Sequence, residues 1–85
     1  MASGGVVITV RPDDQRDVEI ALAGFSELSV YGSDEKGNII ATIKGIDSES
    51  IERVIRTIEE IETVRKVKLA YLNNDNAPDA PIGKR

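Results

Sequence analysis

The fold is decided by the stretch Ser33-Asp34-Glu35-Lys36-Gly37-Asn38-Ile39-Ile40-Ala41-Thr42-Ile43-Lys44, which joins a polar turn to an apolar strand. The turn spans residues 33–38, and Gly37 is free to adopt a positive φ at its end. Isoleucine and threonine make the following strand β-branched on both of its faces. A strand that is apolar on both faces is typical of the centre of a sheet. The pattern predicts that the chain before the central strand forms a β-α-β half, which ends with the strand before the turn. The chain after the central strand forms an α-β half.

Hydrophobic patterns on either side of this stretch predict the remaining elements. They are, in chain order, a strand over 6–10, a helix from residue 13 or 14 to residue 22 or 23, a strand over 27–31, a helix over 49–61 and a strand over 66–72. Asp13 or Asp14 is expected to cap the first helix, and Asp47 or Ser48 the second. Residues 1–5 are expected to be flexible and residues 73–85 to form a disordered tail, so the domain is predicted over 6–72.

Composition limits the chemistry that the chain can perform. It has 85 residues, a net charge of −4, and neither cysteine nor histidine. Disulfides, thiolate or imidazole metal sites and histidine acid–base catalysis are therefore excluded. The acidic balance argues against binding nucleic acid, which needs a dense positive surface. With no transmembrane segment and no signal peptide in the sequence, we expect a cytoplasmic protein.

The β-α-β-β-α-β order with right-handed crossovers predicts a ferredoxin-like α+β sandwich. Its four-stranded antiparallel sheet has the order 4-1-3-2, and both helices cover one face. The other face, called the open face below, has no helix over it. An uncovered sheet face with apolar residues at its centre favours a partner.

Alternation along the strands assigns side chains to the two faces. The residues predicted to face the helices are Val6, Ile8, Val10, Leu28, Val30, Ile39, Ile43, Val67 and Leu69. The residues predicted on the open face are Val7, Thr9, Ser29, Tyr31, Ile40, Thr42, Lys68 and Ala70. This second set is mixed, so it can tolerate water or accept an amphipathic segment or a second sheet.

No motif indicates an enzyme. Gly4-Gly5 precedes a strand rather than following one into a helix, so it does not form a phosphate loop. The doublets Asp13-Asp14 and Glu59-Glu60 are interpreted as a helix start and a solvated helix face. One phenylalanine and two tyrosines do not make a stacking platform for nucleic acid. We predict a binding protein with no catalytic residue, no metal and no cofactor.

Several segments, in their order and spacing, carry a resemblance to a known family. They are Val7-Ile8-Thr9-Val10-Arg11-Pro12, the turn and strand over 34–40, the helix start over 47–51, Thr57-Ile58-Glu59-Glu60-Ile61 and the strand over 64–72. Together they resemble the NapD family of small cytoplasmic chaperones for the periplasmic nitrate reductase. The likeness spans about residues 6–74.

The resemblance implies a chaperone that binds the twin-arginine signal peptide of the catalytic nitrate reductase precursor, or of a related molybdoenzyme. Binding would delay export until the molybdenum cofactor is inserted. The peptide would be held as a helix on the open face, by Val7, Thr9, Tyr31, Ile40, Thr42 and Ala70. Its basic residues would meet an acidic rim formed by Glu27, Asp34 and Glu35, whereas Lys66 and Lys68 would repel a cationic peptide. No membrane insertion is expected, and the protein is predicted to be a monomer or a weak dimer.

Two other interpretations stay open from the residues alone. One is a regulatory ligand-binding or dimerisation module of the ACT or Lrp C-terminal type, which shares this topology. The sequence contains no clear glycine-rich effector turn and no attached DNA-binding domain, which argues against it. The other is a subunit or scaffold with no small ligand.

Overall fold

The computed structural model describes residues 1–74, which form four strands and two α-helices. The elements are β1 (Ala2–Val10), α1 (Gln15–Leu22), β2 (Leu28–Ser33), β3 (Asn38–Gly45), α2 (Ser48–Glu59) and β4 (Val64–Asn74). A 3₁₀ turn over Pro12–Asp14 leads into α1. The predicted β-α-β-β-α-β order is therefore confirmed.

The four strands form one antiparallel sheet in the order β2-β3-β1-β4, which is the predicted order counted from the other edge. Helix α2 packs across β1, β3 and β4, whereas α1 packs beside β2. Along β3, Ile39, Ala41 and Ile43 are completely buried beneath the helices, while Ile40 is 48% exposed. The ferredoxin-like fold and the central place of β3 are both confirmed.

The core lies between the helices and one face of the sheet. Its buried helical members are Val18 and Leu22 on α1 and Ile51, Val54 and Ile58 on α2. Each such aliphatic side chain stabilises the fold by about 1.5–3 kcal/mol when fully buried. The longer α2 contributes more of this apolar surface than the eight-residue α1.

The two helices begin in different ways. The Asp47 carboxylate caps α2, because its Oδ1 accepts the Ser50 backbone N–H at 2.9 Å and the Ser50 hydroxyl at 2.9 Å. These bonds lower the pKa of Asp47. The predicted acidic cap of α1 is wrong: Asp14 holds the N-cap position, but its side chain makes no capping hydrogen bond. The 3₁₀ turn that starts at Pro12 leads the chain into α1 instead.

The first and the last strand of the chain are both longer than the sequence predicts. β1 starts at Ala2 rather than Val6, and Ala2 is 2% exposed between Gly45 and Asn74. Small residues are needed here, since a Cβ atom on Gly4 would stand 3.1 Å from Ile51 Cγ2. β4 begins two residues before the predicted start and ends two residues after the predicted end. The remaining part of the predicted tail, residues 75–85, lies outside the described residues.

Candidate functional site

The antiparallel register determines which side chains meet on the open face. Val7 of β1 pairs with Ile40 of β3 on one side and with Lys68 of β4 on the other. One row further along the sheet, Gly5 lies between Thr42 and Tyr71. Facing residues of neighbouring antiparallel strands point to the same side of the sheet. The centre of the open face is therefore apolar and hydroxyl-bearing.

A groove of about 270 Å³ runs over this centre, and we call it the open-face groove. Its lining consists of Gly5, Val6, Val7, Tyr31, Ile40, Ala41, Thr42, Ala70 and Tyr71. Tyr31, Ile40 and Tyr71 are 85%, 48% and 53% exposed. Large apolar side chains that cluster in the open on one face mark an interaction surface.

Most of the predicted peptide-binding residues come together in this groove. Val7, Tyr31, Ile40, Thr42 and Ala70 line it, whereas Thr9 lies outside its lining. The Thr9 hydroxyl donates to Asn38 Oδ1 at 3.1 Å, at the hairpin end of the open face. The role of all six residues in binding a peptide stays a prediction.

The placement of Tyr71 is a feature that strand alternation missed. Val6 pairs with Leu69 but Gly5 pairs with Tyr71, so Ala70 is an extra residue in a β-bulge. The bulge lets Leu69 stay on the helix side while Tyr71 turns to the open face. A Cβ atom on Gly5 would fall within 2.9 Å of three ring atoms of Tyr71, which places the ring on the open face. The glycine at position 5 was the signal that could have indicated a bulky neighbour.

Two residues assigned to the helix-covered core are only partly covered. Val30 pairs with the buried Ala41 but lies on the edge strand β2 and is 41% exposed. Leu69 lies on the other edge strand and is 42% exposed. Residue alternation gives the face but not the extent of helix cover, which is smallest at the sheet edges.

The sheet and the rest of the described molecule differ in the sign of their charged residues. The four strands contain no Asp or Glu, but they carry Lys44, Arg65, Lys66 and Lys68. Within residues 1–74, all 13 acidic residues and the other five basic residues lie outside the strands. Lys66 and Lys68 pair with Thr9 and Val7, so both belong to the open face. An acidic protein thus presents a cationic sheet.

The three residues of the predicted acidic rim do not form one cluster. Glu27 immediately precedes β2, and Asp34 and Glu35 immediately follow it. A strand of six residues at about 3.3 Å per residue separates the two positions by roughly 20 Å. The carboxylates therefore stand at opposite ends of the β2 edge.

Asp34 also organises the β2–β3 turn. Its Oδ1 accepts the backbone N–H groups of Lys36 at 2.9 Å and of Asn38 at 3.0 Å, and its Oδ2 accepts Asn38 Nδ2 at 2.9 Å. The Asn38 side-chain bond, followed by the backbone bonds, lowers the pKa of Asp34, so its carboxylate stays charged into acid solution. The Asp34 carbonyl accepts Gln15 Nε2 at 3.1 Å, which ties the turn to α1.

A second and larger groove, of about 500 Å³, lies beside α2. Phe25 and Val54 line it together with the charged residues Glu27, Lys44 and Arg53. Val54 belongs to the core and Phe25 packs against the core, so these two side chains already have partners in the fold. We therefore place the candidate site in the smaller open-face groove, where the aromatic rings are exposed.

The part of the chain that the structure describes contains no candidate metal site and no candidate membrane-spanning helix. Within residues 1–74, no group of three His, Cys, Asp or Glu side chains could hold a metal ion. In the same range, no helix is long and apolar enough to cross a membrane.

Comparison with known proteins gives a family and a structural relative. No curated protein sequence matches the chain. Among solved structures, it is similar to the solution structure of the E. coli Tat proofreading chaperone protein NapD, with a TM-score of 0.77 and 22% sequence identity. That match covers 98% of this chain and 90% of the E. coli chain, and it establishes the likeness of the fold. The sequence model of the NapD protein family matches residues 4–76. The chain therefore belongs to the NapD family.

Proposed function

We propose that this protein is a chaperone that binds the twin-arginine signal peptide of an exported molybdoenzyme precursor. The proposed precursor is the catalytic subunit of a periplasmic nitrate reductase, held in the cytoplasm until its molybdenum cofactor is inserted. Membership of the NapD family supports this function over a regulatory ACT-type or Lrp-type module. The E. coli relative is described as a Tat proofreading chaperone, which supports the same partner class. The protein acts by binding alone, without catalysis.

The open-face groove is the observation that carries the proposal. Three spacings of about 4.8 Å make a four-stranded sheet about 14 Å wide, and a helix with its side chains is about 10 Å across. A peptide helix that crosses the strands therefore spans the sheet from β2 to β4 and covers a band about 10 Å wide over the groove. Its apolar side would replace water over Tyr31, Ile40 and Tyr71, which are among the large apolar side chains left exposed on the sheet.

The two tyrosines of the chain make this binding directly measurable. Tyr31 and Tyr71 both line the open-face groove, and the chain has no tryptophan. Their fluorescence therefore reports on the groove when a synthetic signal peptide without tyrosine or tryptophan is added. We expect saturable binding, and a leader from nitrate reductase should bind more tightly than a leader from another molybdoenzyme.

A matched pair of variants tests where the peptide binds. Ile40→Glu places a charge in the groove, and we expect it to weaken peptide binding by roughly tenfold or more. Ile20→Glu makes the same change at a 66% exposed isoleucine on α1, away from the groove, and should leave binding unchanged. Circular dichroism checks that both variants fold. Equal peptide affinity for folded Ile40→Glu and Ile20→Glu would remove the open face as the site.

NMR titration provides an independent map of the same site. Amide shifts are expected at Val7, Thr9, Tyr31, Ile40, Thr42, Ala70 and Tyr71. Shifts confined to α1 and α2 would contradict the proposal. Sedimentation of the free protein tests the proposed monomeric or weakly dimeric state.

A further inference from the structure

We infer that lysines of the sheet set the direction of the bound peptide, with its arginine pair over β2 and the other end of its helix over β4. This inference rests on the proposed function and adds the peptide's orientation to it. The two edges of the open face differ in charge, and the difference lies in residues that the apolar groove does not contain.

The β4 edge repels a guanidinium group. Lys66 and Lys68 stand on the open face opposite Thr9 and Val7, so Lys68 directly adjoins the groove. No carboxylate on any of the four strands compensates them. Arginines placed over β4 would lose affinity by roughly twofold to fivefold per close contact at low salt.

The β2 edge is the favourable position for the arginines. Its sequence Leu28–Ser33 carries no basic residue, and carboxylates stand at both of its ends. Glu27 lies at one end of this strand with Lys44 of β3 next to it, and Asp34 and Glu35 lie at the other end. The Asp34 carboxylate is held in place by its bonds to Lys36 and Asn38, so it offers a fixed negative charge.

The peptide's own dipole acts in the same direction. In an export signal the basic region precedes the apolar segment, so the arginines lie at the N-terminal end of the helix. At 1.5 Å per residue, about ten residues span the 14 Å from β2 to β4. The C-terminal end of that helix carries partial negative charge and would lie beside Lys68.

Spin labels on the two edges test this direction. The chain contains no cysteine, so Ser29→Cys on β2 and Asn73→Cys on β4 each accept one nitroxide on the open face. The probe is a ¹⁵N-labelled synthetic twin-arginine peptide. We expect the label at position 29 to broaden the arginine signals most, and the label at position 73 to broaden the C-terminal signals most. The reverse pattern, or equal broadening from both labels, would overturn the inference.

Charge reversal tests whether the lysines are the cause. The double variant Lys66→Glu with Lys68→Glu should abolish or reverse the difference between the two labels. Arg53→Glu with Arg56→Glu changes the net charge equally on α2, and should keep the difference. If the peptide keeps its original direction on the β4 double variant, the lysines do not set that direction, and the proposed function still stands. A wild-type protein that does not bind the peptide would overturn the proposed function and this inference together.

Discussion

The aromatic ring of Tyr71 lies over Gly5, so that a Cβ atom at position 5 would stand 2.2 Å from Tyr71 Cε2. The two residues are partners across β1 and β4, and the ring lines the open-face groove. Glycine leaves the space that the neighbouring ring occupies, and its φ is not positive. A residue that the sequence assigns to a flexible end therefore shapes a wall of the candidate site.

Gly5→Ala should disturb the groove more than the fold. The added methyl group must displace the Tyr71 ring, and this ring is 53% exposed and can move outward into water. We expect several-fold weaker peptide binding and a loss of about 1 kcal/mol or less in the free energy of unfolding. Peptide titration and urea unfolding measure the two effects. Unchanged peptide affinity would show that the position of the Tyr71 ring does not matter.

Gly37→Ala should, in contrast, destabilise the whole domain. Gly37 has φ of 94°, and a Cβ atom there would stand 1.9 Å from the Val10 carbonyl oxygen. Its own carbonyl accepts the Val10 N–H at 2.8 Å, so the turn cannot move away without breaking this bond. We expect a loss of roughly 1–3 kcal/mol in the free energy of unfolding.

Gly32→Ala is the matched control for Gly37→Ala. A Cβ atom at position 32 meets nothing within 4 Å, and this glycine has no positive φ. Its unfolding free energy should stay within about 1 kcal/mol of wild type. Equal urea midpoints for the two alanine variants would contradict the assigned turn geometry.

The topology was predictable because it depends on local patterns that agree with one another. Ile39 and Ile43 bury their side chains beneath the helices while Ile40 faces outward, as a period of two requires. The spacing of Ile51, Val54 and Ile58 likewise predicted the buried stripe of α2. These predictions hold in the structure because each hydrophobic pattern lies within a single strand or helix.

The features that the sequence did not reveal depend on contacts between distant segments. Ser3, Gly4 and Gly5 have no hydrophobic pattern, yet they are strand residues because they pair with β3 and β4. Ile51 lies over Gly4 on the helix side, and Tyr71 lies over Gly5 on the open face. The bulge at Ala70 follows from the pairing of β4 with β1, which alternation along β4 alone cannot predict. One extra residue in the ladder was enough to place Tyr71 on the opposite face.

Stability should fall in acid because of the Asp34 turn. Hydrogen bonds from Asn38 and Lys36 lower the pKa of Asp34 in the folded state below its value in the unfolded chain. Such a carboxylate stabilises the fold above the unfolded pKa, near pH 4, and this contribution is lost as the pH falls through the folded pKa. The lowered pKa of Asp47 acts in the same direction. Urea midpoints should therefore decrease as the pH is lowered below about 4.

Asp34→Asn separates this effect from general acid unfolding. The variant should be less stable than wild type at pH 7, and its urea midpoint should change less below pH 4. Glu35→Gln removes a charge from the same turn but none of the hydrogen bonds that Asp34 accepts. It should keep the wild-type pH dependence. Parallel pH profiles for wild type and Asp34→Asn would show that this carboxylate does not contribute.

Deletion of Ala70 tests the bulge that positions Tyr71. Because Val6 pairs with Leu69 and Gly5 with Tyr71, removing Ala70 leaves a ladder that is regular from Thr9 to Ala2 and in which both pairs persist. We expect a folded variant that keeps the NOE between Gly5 Hα and the Tyr71 ring. Deletion of Lys68 is the control, since a ladder that keeps Val67 opposite Ile8 then places Leu69 opposite Val7, on the open face. That variant should lose about 1 kcal/mol or more. Loss of the NOE on deleting Ala70 would mean that a regular strand cannot hold Tyr71 over Gly5.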